Sequence, residues 1–95
     1  MGVGQVLAGM RQAVREQRYR ISGHANDEMY DDAMESEDIE SVILSGEIKR
    51  KFTRDPRGTR YEVCGRAADE RRACVVCRFL LSGVLLIITA YAEEV

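Results

Sequence analysis

The run Gly46-Glu47-Ile48-Lys49-Arg50-Lys51-Phe52-Thr53-Arg54-Asp55-Pro56-Arg57-Gly58-Thr59-Arg60-Tyr61 decides the fold, because here the apolar spacing changes from a helical period to about two. Glu47 to Arg54 reads as a charged strand. Asp55-Pro56-Arg57-Gly58 reads as a type I turn, with proline at its second position and glycine at its fourth. Thr59 to Ala67 is then the returning strand of a hairpin. A polar turn at Ala68 to Arg71 leads into a third strand, Arg72 to Leu80. Ser82-Gly83 provides a last tight turn before Val84 to Tyr91, the most apolar strand and therefore central or well covered.

Upstream of Gly46 the pattern is helical. Val3, Val6, Leu7, Met10 and Val14 share one face of an amphipathic helix from about Gly4 to Gln17, with Arg11, Arg15 and Arg18 turned away. Tyr19-Arg20-Ile21-Ser22 alternates like a short strand or extended lead, and Ser22 can cap a second helix whose stripe is Ala25, Met29 and Ala33, with Met34 beside it. Ser36 can cap a third helix, with Glu37 and Asp38 at the positive end of its dipole, Ile39, Val42 and Ile43 as its buried face and Gly46 as its stop. Helices followed by strands predict an α+β fold in which N-terminal helices pack on a four-stranded antiparallel sheet.

A chain of 95 residues has room for one core, so residues 1–95 are read as a single domain. Apolar residues at 45% and charged residues at 32% fit an ordinary globular domain. The apolar stretch Val84 to Ala92 is about half of the ~20 residues that a membrane-spanning helix needs. Arg11 and Arg15 stand where a signal peptide would carry its apolar segment, so a cytoplasmic, membrane-free protein is expected. In that compartment Cys64, Cys74 and Cys77 are expected to be reduced, without a disulfide.

The net charge of −2 conceals a division. Asp27, Glu28, Asp31, Asp32, Glu35, Glu37, Asp38 and Glu40 form an acidic run, whereas Lys49, Arg50, Lys51, Arg54, Arg57 and Arg60 are opposed only by Asp55. A basic ribbon of this kind can attract phosphates even on a slightly acidic protein, although both runs can also be plain solvated faces. His24, the sole histidine, falls in the first turn of the second helix, where it can transfer protons or merely cap its own helix. Arg78 interrupts an apolar strand and must reach an edge, a cleft or a partner. By alternation Thr89 and Tyr91 share one face of the last strand, and Val84, Leu86, Ile88 and Ala90 the other. Arg60 and Tyr61 point to opposite faces of the hairpin. Cys74 and Cys77 have a redox or zinc spacing, but within a strand they face opposite sides, so a zinc site with His24 and Cys64 requires that parity to break.

Tyr19-Arg20-Ile21-Ser22-Gly23-His24-Ala25, Glu28-Met29, Asp38-Ile39-Glu40, Gly46-Glu47-Ile48, Arg57-Gly58-Thr59-Arg60-Tyr61 and Leu86-Ile87-Ile88-Thr89-Ala90-Tyr91 together resemble a family known as a domain of unknown function, DUF4258. The match runs from about Tyr19 to Tyr91, and the family is similar in predicted fold to the RelE/ParE-like toxins. The resemblance implies a toxin-like endoribonuclease that cleaves RNA without a metal or other cofactor and is neutralised by an antitoxin of zinc-finger or helix-turn-helix type. His24, Arg60, Tyr61, Thr89 and Tyr91 are carried over from it; Arg78 is added from its placement. The expected catalytic set is His24, Arg78, Thr89 and Tyr91, and the expected RNA-binding set is Lys49, Lys51, Arg54, Arg57, Arg60 and Tyr61. No small-molecule ligand is expected. A protein-binding module that does no chemistry, or an inactive toxin homologue, is the alternative.

Overall fold

The computed structural model describes residues 2–93. Along the chain its elements are α1 (Val3–Arg15), β1 (Tyr19–Ile21), α2 (Gly23–Asp31), α3 (Ser36–Ser45), β2 (Glu47–Phe52), β3 (Arg60–Arg66), β4 (Arg72–Phe79) and β5 (Leu85–Ala92). All the strands join one sheet in the order β1-β5-β4-β3-β2. The α+β class is as expected, but the sheet is five-stranded and mixed, not four-stranded and antiparallel. The additional strand is Tyr19–Ile21, which lies parallel to Leu85–Ile87. It lies in the segment read as a short strand or extended lead; what the alternation of three residues could not announce is that it joins the sheet, and in parallel with β5.

The helices cover one face of the sheet. Val63, Val75, Cys77, Leu85, Ile87 and Ala90 are fully buried there against Met10 and Val14 of α1, Ala25 of α2 and Ile39, Val42 and Ile43 of α3. Arg11 is not turned away as its place on α1 predicted: its guanidinium donates to the carbonyls of Ile43 and Gly46, satisfying acceptors that the C-terminus of α3 leaves open. Ser22 caps α2 as expected, accepting from the Ala25 amide. Helix α3 is capped one residue earlier than predicted, at Glu35, whose amide donates to Asp38 while its own carboxylate accepts from the helix. The second carboxylate oxygen of Asp38 accepts from Ala68 N at 3.0 Å, so this nearly buried acid joins α3 to the β3–β4 turn.

Gly46 does end α3, for reasons of space rather than handedness. Its φ of −93° suits any residue, but a Cβ there would sit 2.4 Å from the Val42 carbonyl and 2.6 Å from that of Cys64. The Asp55–Gly58 turn forms as read, with Gly58 N bonded to Asp55 O and Gly58 at a φ of +128°. In β5 the expected alternation fails at a bulge. Val76 pairs with Thr89 and Cys77 with Ile87, leaving Ile88 without a partner, so Leu86 lies opposite Arg78 on the same open face as Thr89 and Tyr91, away from Ala90. That open face, across the sheet from the helices, carries Arg78, Leu86 and Arg20 along one row, Glu62, Val76 and Thr89 along the next, and Cys64, Cys74 and Tyr91 beyond.

Candidate nucleic-acid interface

The tip of the β2–β3 hairpin encloses a concavity of about 540 Å³ lined by Lys51, Phe52, Thr53, Arg54, Asp55, Pro56, Arg57 and Arg60. Its shape follows from the turn. Pro56 fixes the corner, and Asp55 Oδ1 accepts from Arg57 N at 2.9 Å, which draws both arms inward over the acid. Arg57 and Arg60 approach the two oxygens of Asp55 at 3.2 and 3.3 Å, and its side chain is only 5% exposed. The Arg57 amide and guanidinium hold the Asp55 carboxyl below its ordinary range, with Arg60 adding to the effect. It therefore stays ionised and subtracts one charge from the four cations around it.

Arg60 is the best-placed of those cations. Its guanidinium carbon stands 5.1 Å from the centre of the Phe52 ring, in a cation–π contact. Its Nε is buried and, although Asp55 lies nearby, the N–H finds no well-directed acceptor among the described residues. A buried donor of this sort is costly unless an acceptor arrives. Arg78 reaches toward the same hairpin from β4: a Cβ on Gly58 would meet Arg78 Cδ at 3.9 Å. The guanidiniums of Arg54, Arg57 and Arg60 at a basic turn suit an oxyanion such as phosphate, which arginine binds through paired N–H donors.

Four members of the expected RNA-binding set, Lys51, Arg54, Arg57 and Arg60, are thus gathered at one concavity. The other two are not. Lys49 lines a separate hollow with Arg66 and Arg72, and Tyr61 faces the helices, where it shares a groove with Val6, Gly9 and Phe79. Phe52, the platform under Arg60, was missing from the sequence reading. An aromatic inside a basic run is the signal that could have found it.

The expected catalytic set is spread over the sheet. His24 begins α2, its side chain 69% exposed, with Nε2 3.2 Å from Glu28 Oε1. The same Glu28 oxygen accepts from Ala90 N, which places the imidazole beyond the outer edge of β5. Tyr91 leans the other way across the sheet and donates to Glu62 Oε2 at 2.9 Å. Glu62 belongs to β3, two strands in from β5, or roughly 10 Å at the usual strand spacing. Partial burial and the Glu62 carboxylate raise the Tyr91 phenol above its ordinary range, so it is a proton donor at neutral pH. Thr89 lies opposite Val76, and Arg78 opposite Leu86. The hollows at the hairpin tip, beside Gly46, between α1 and Tyr61, and at the start of α3 are lined by none of His24, Arg78, Thr89 and Tyr91.

The acidic run has structural work that the sequence did not disclose. Glu28 and Asp32, one turn apart on α2, accept from the amides of Ala90 and Ala92, and Ser22 donates to Ile88 O. They occupy the edge of β5 beyond the end of β1. Arg71 in turn donates to the carbonyls of Asp32 and Ala33 and closes the C-terminus of α2.

The cysteines correct one expectation. Cys64 and Cys74 stand directly opposite each other on β3 and β4, with Cα atoms 4.1 Å apart, and are joined by a disulfide. Cys77 faces the core as a free thiol, pushed up to about 12 by burial, so the pair Cys74 and Cys77 does face opposite sides and cannot chelate with His24. The described residues offer one cluster of metal-ligating type, Cys64, Cys74 and Glu93, whose ligand atoms lie within 4.8 Å of one another.

No helix among the described residues is long and apolar enough to cross a membrane. Neither a characterised relative nor a solved structure matches the chain. A family model does, over residues 21–92, from the last residue of β1 through the last of β5, and so spans α2, α3 and the hairpin with its basic concavity. The chain belongs to that family, the domain of unknown function DUF4258.

Proposed function

We propose that this chain is a toxin-like module that acts on RNA, seating the phosphate backbone in the concavity at the β2–β3 hairpin. The observation that carries the reading is the gathering of Lys51, Arg54, Arg57 and Arg60 around one concavity, with Arg60 in cation–π contact with Phe52. Arg78 approaches the same turn from β4, with its Cδ beside Gly58, but does not line the concavity. Binding asks only for cations that already stand together. Cleavage in the manner of a metal-independent endoribonuclease asks more. His24 and Tyr91 would have to move protons at one phosphate although they flank β5 on different sides, so binding is the firmer half of the proposal and cleavage its extension.

A partner fits the same picture. A small antitoxin presenting carboxylates to the hairpin would compete with RNA for the same guanidiniums. A protein-binding role without chemistry finds its support in β2, an edge strand that pairs only with β3. Its cations, Lys49, Arg50 and Lys51, are also what keeps such an edge from pairing indiscriminately.

The test is RNA binding measured by fluorescence anisotropy against salt. Contacts to three or four phosphates on single-stranded RNA give a log–log slope of about −2 to −3, and Arg54→Ala with Arg60→Ala makes it shallower by about 1.4. Binding that ignores salt, or survives both substitutions unchanged, refutes the interface. Cleavage is tested separately by expression in bacteria: growth arrest with loss of RNA, relieved by His24→Ala or Arg78→Ala, is the expected result. Normal growth with abundant soluble protein retires the nuclease extension and leaves the binding site standing.

A further inference from the structure

The structure assigns a thiol–disulfide exchange site to the Cys64–Cys74 pair, selective for small anionic thiols and independent of the RNA interface. Three observations converge on it. The pair lies on the open face of the sheet, on neighbouring strands, where the sulfurs can bond without any backbone movement. The two sulfurs differ in access: Cys64, 9% exposed, lines a hollow of about 250 Å³, whereas Cys74 is 1% exposed, with its Sγ 3.1 Å from Glu93 Oε1. That hollow is also cationic. Lys49, Arg66 and Arg72 line it; among the described residues Lys49 pairs with Glu47 at 3.6 Å and Arg72 with Glu93 at 3.2 Å, so Arg66, the cross-strand neighbour of Arg72 on the same face as the cysteines, carries the surplus positive charge.

The surplus charge draws anionic reagents to the hollow beside Cys64. Cys64 is therefore the exchanging sulfur and Cys74 the resolving one. In the reducing direction a thiolate RS⁻ attacks Cys64 Sγ; the RS–Sγ bond forms as the Cys64–Cys74 bond breaks. Cys74 leaves as a thiolate, takes a proton from water and, as a thiol, donates to Glu93. A second RS⁻ attacks the sulfur of the bound RS group, giving RSSR and the Cys64 thiolate. The two electrons that reduce the protein disulfide come from the two thiols. Run backwards, Cys64 attacks an anionic disulfide and Cys74 closes the bond.

Cys64, Cys74 and Glu93 are also the ligand types of a zinc site, but the hollow argues against one. Its surplus positive charge disfavours a divalent ion, and Arg72 already holds Glu93 Oε2 at 3.2 Å. An anionic thiol suits the charge where a metal does not.

The experiment takes the reduced full chain and measures mixed-disulfide formation with glutathione disulfide, hydroxyethyl disulfide and cystamine, an anionic, a neutral and a cationic reagent. Each rate is referred to that of the same reagent with an unstructured cysteine peptide. The expected result is a label on Cys64 by peptide mapping, closing onward to the Cys64–Cys74 bond. The anionic reagent should be favoured over the cationic one on the order of tenfold at low salt. Lys49→Ala with Arg66→Ala, both at exposed positions, should erase the preference while leaving the far-ultraviolet spectrum unchanged. Labelling of Cys74 or Cys77 first, a preference for cystamine, or thiols that stay silent in the folded chain would overturn the assignment. So would stoichiometric zinc bound by the reduced chain that protects both thiols.

Discussion

At the scale of single residues, two glycines let β3 and the end of α3 come together. A Cβ on Gly65 would lie 2.7 Å from Gly46 Cα and 2.7 Å from the Val42 carbonyl, both backbone atoms that cannot step aside as a flexible side chain can. Gly65→Ala therefore has to push β3 away from the end of α3. The expected cost is about 1–3 kcal/mol, as for other overpacked sites. Thermal denaturation should show a midpoint lower by roughly 4–8 °C for each kcal/mol, and a midpoint equal to that of the parent chain would refute the contact. Residue-level signals of local origin were legible in the sequence. Ser22 as a cap, the Pro56 and Gly58 turn and the opposed faces of Arg60 and Tyr61 all depend on neighbours a few positions away. The disulfide was not, because facing cysteines require a strand register that spacing alone does not give. The cap of α3 moved to Glu35 because reciprocal bonds with Asp38 satisfy two amides where Ser36 could offer one.

At the scale of elements, α2 functions as a substitute strand. Four residues of helix rise about 6 Å, and two residues of strand advance about 6.7 Å. Carboxylates at Glu28 and Asp32 can consequently meet the successive outward amides of Ala90 and Ala92. The sequence displayed those acids only as part of a charged run, since nothing local distinguishes a solvated carboxylate from one that accepts an amide far along the chain. Glu28→Ala with Asp32→Ala should leave both amides without their acceptors and open the β5 edge. Hydrogen exchange at Ala90 and Ala92 should accelerate, stability should fall by about 1–3 kcal/mol per amide left buried, and light scattering should reveal association through the exposed edge. Glu28→Gln keeps an acceptor and should restore most of the protection at Ala90. Unchanged exchange in the double variant would mean that the helix shields the edge by bulk alone. The same logic bears on the candidate site: a basic hairpin was readable from composition and turn chemistry, but the position of His24 depended on where α2 lands, and it lands on the outer edge of β5.

At the scale of the whole molecule, the charge division of the sequence becomes a spatial one. Acidic α2 and α3 lie toward the β1–β5 side or over the helical face, and the basic hairpin projects at the opposite edge, formed by β2 and β3. A polyanion can thus meet the hairpin without crossing the acidic run, whose carboxylates are in part committed to backbone amides. Within the acidic side, Tyr19 on β1 donates to Glu40 on α3 and so ties the short parallel strand to the helical layer. Burial, reinforced by the Glu40 carboxylate, pushes the Tyr19 phenol up to about 12 from its ordinary value of 10.0. The folded state therefore holds this proton more tightly than the unfolded state does. The stabilisation is complete below pH 10 and is lost as pH rises through the folded value near 12. Chemical denaturation of the parent chain should accordingly weaken over that window. Tyr19→Phe, which has no proton to lose there, should start less stable and decline less steeply across the same interval. Parallel curves for the two proteins would show that the bond to Glu40 does not hold β1 to the rest of the fold.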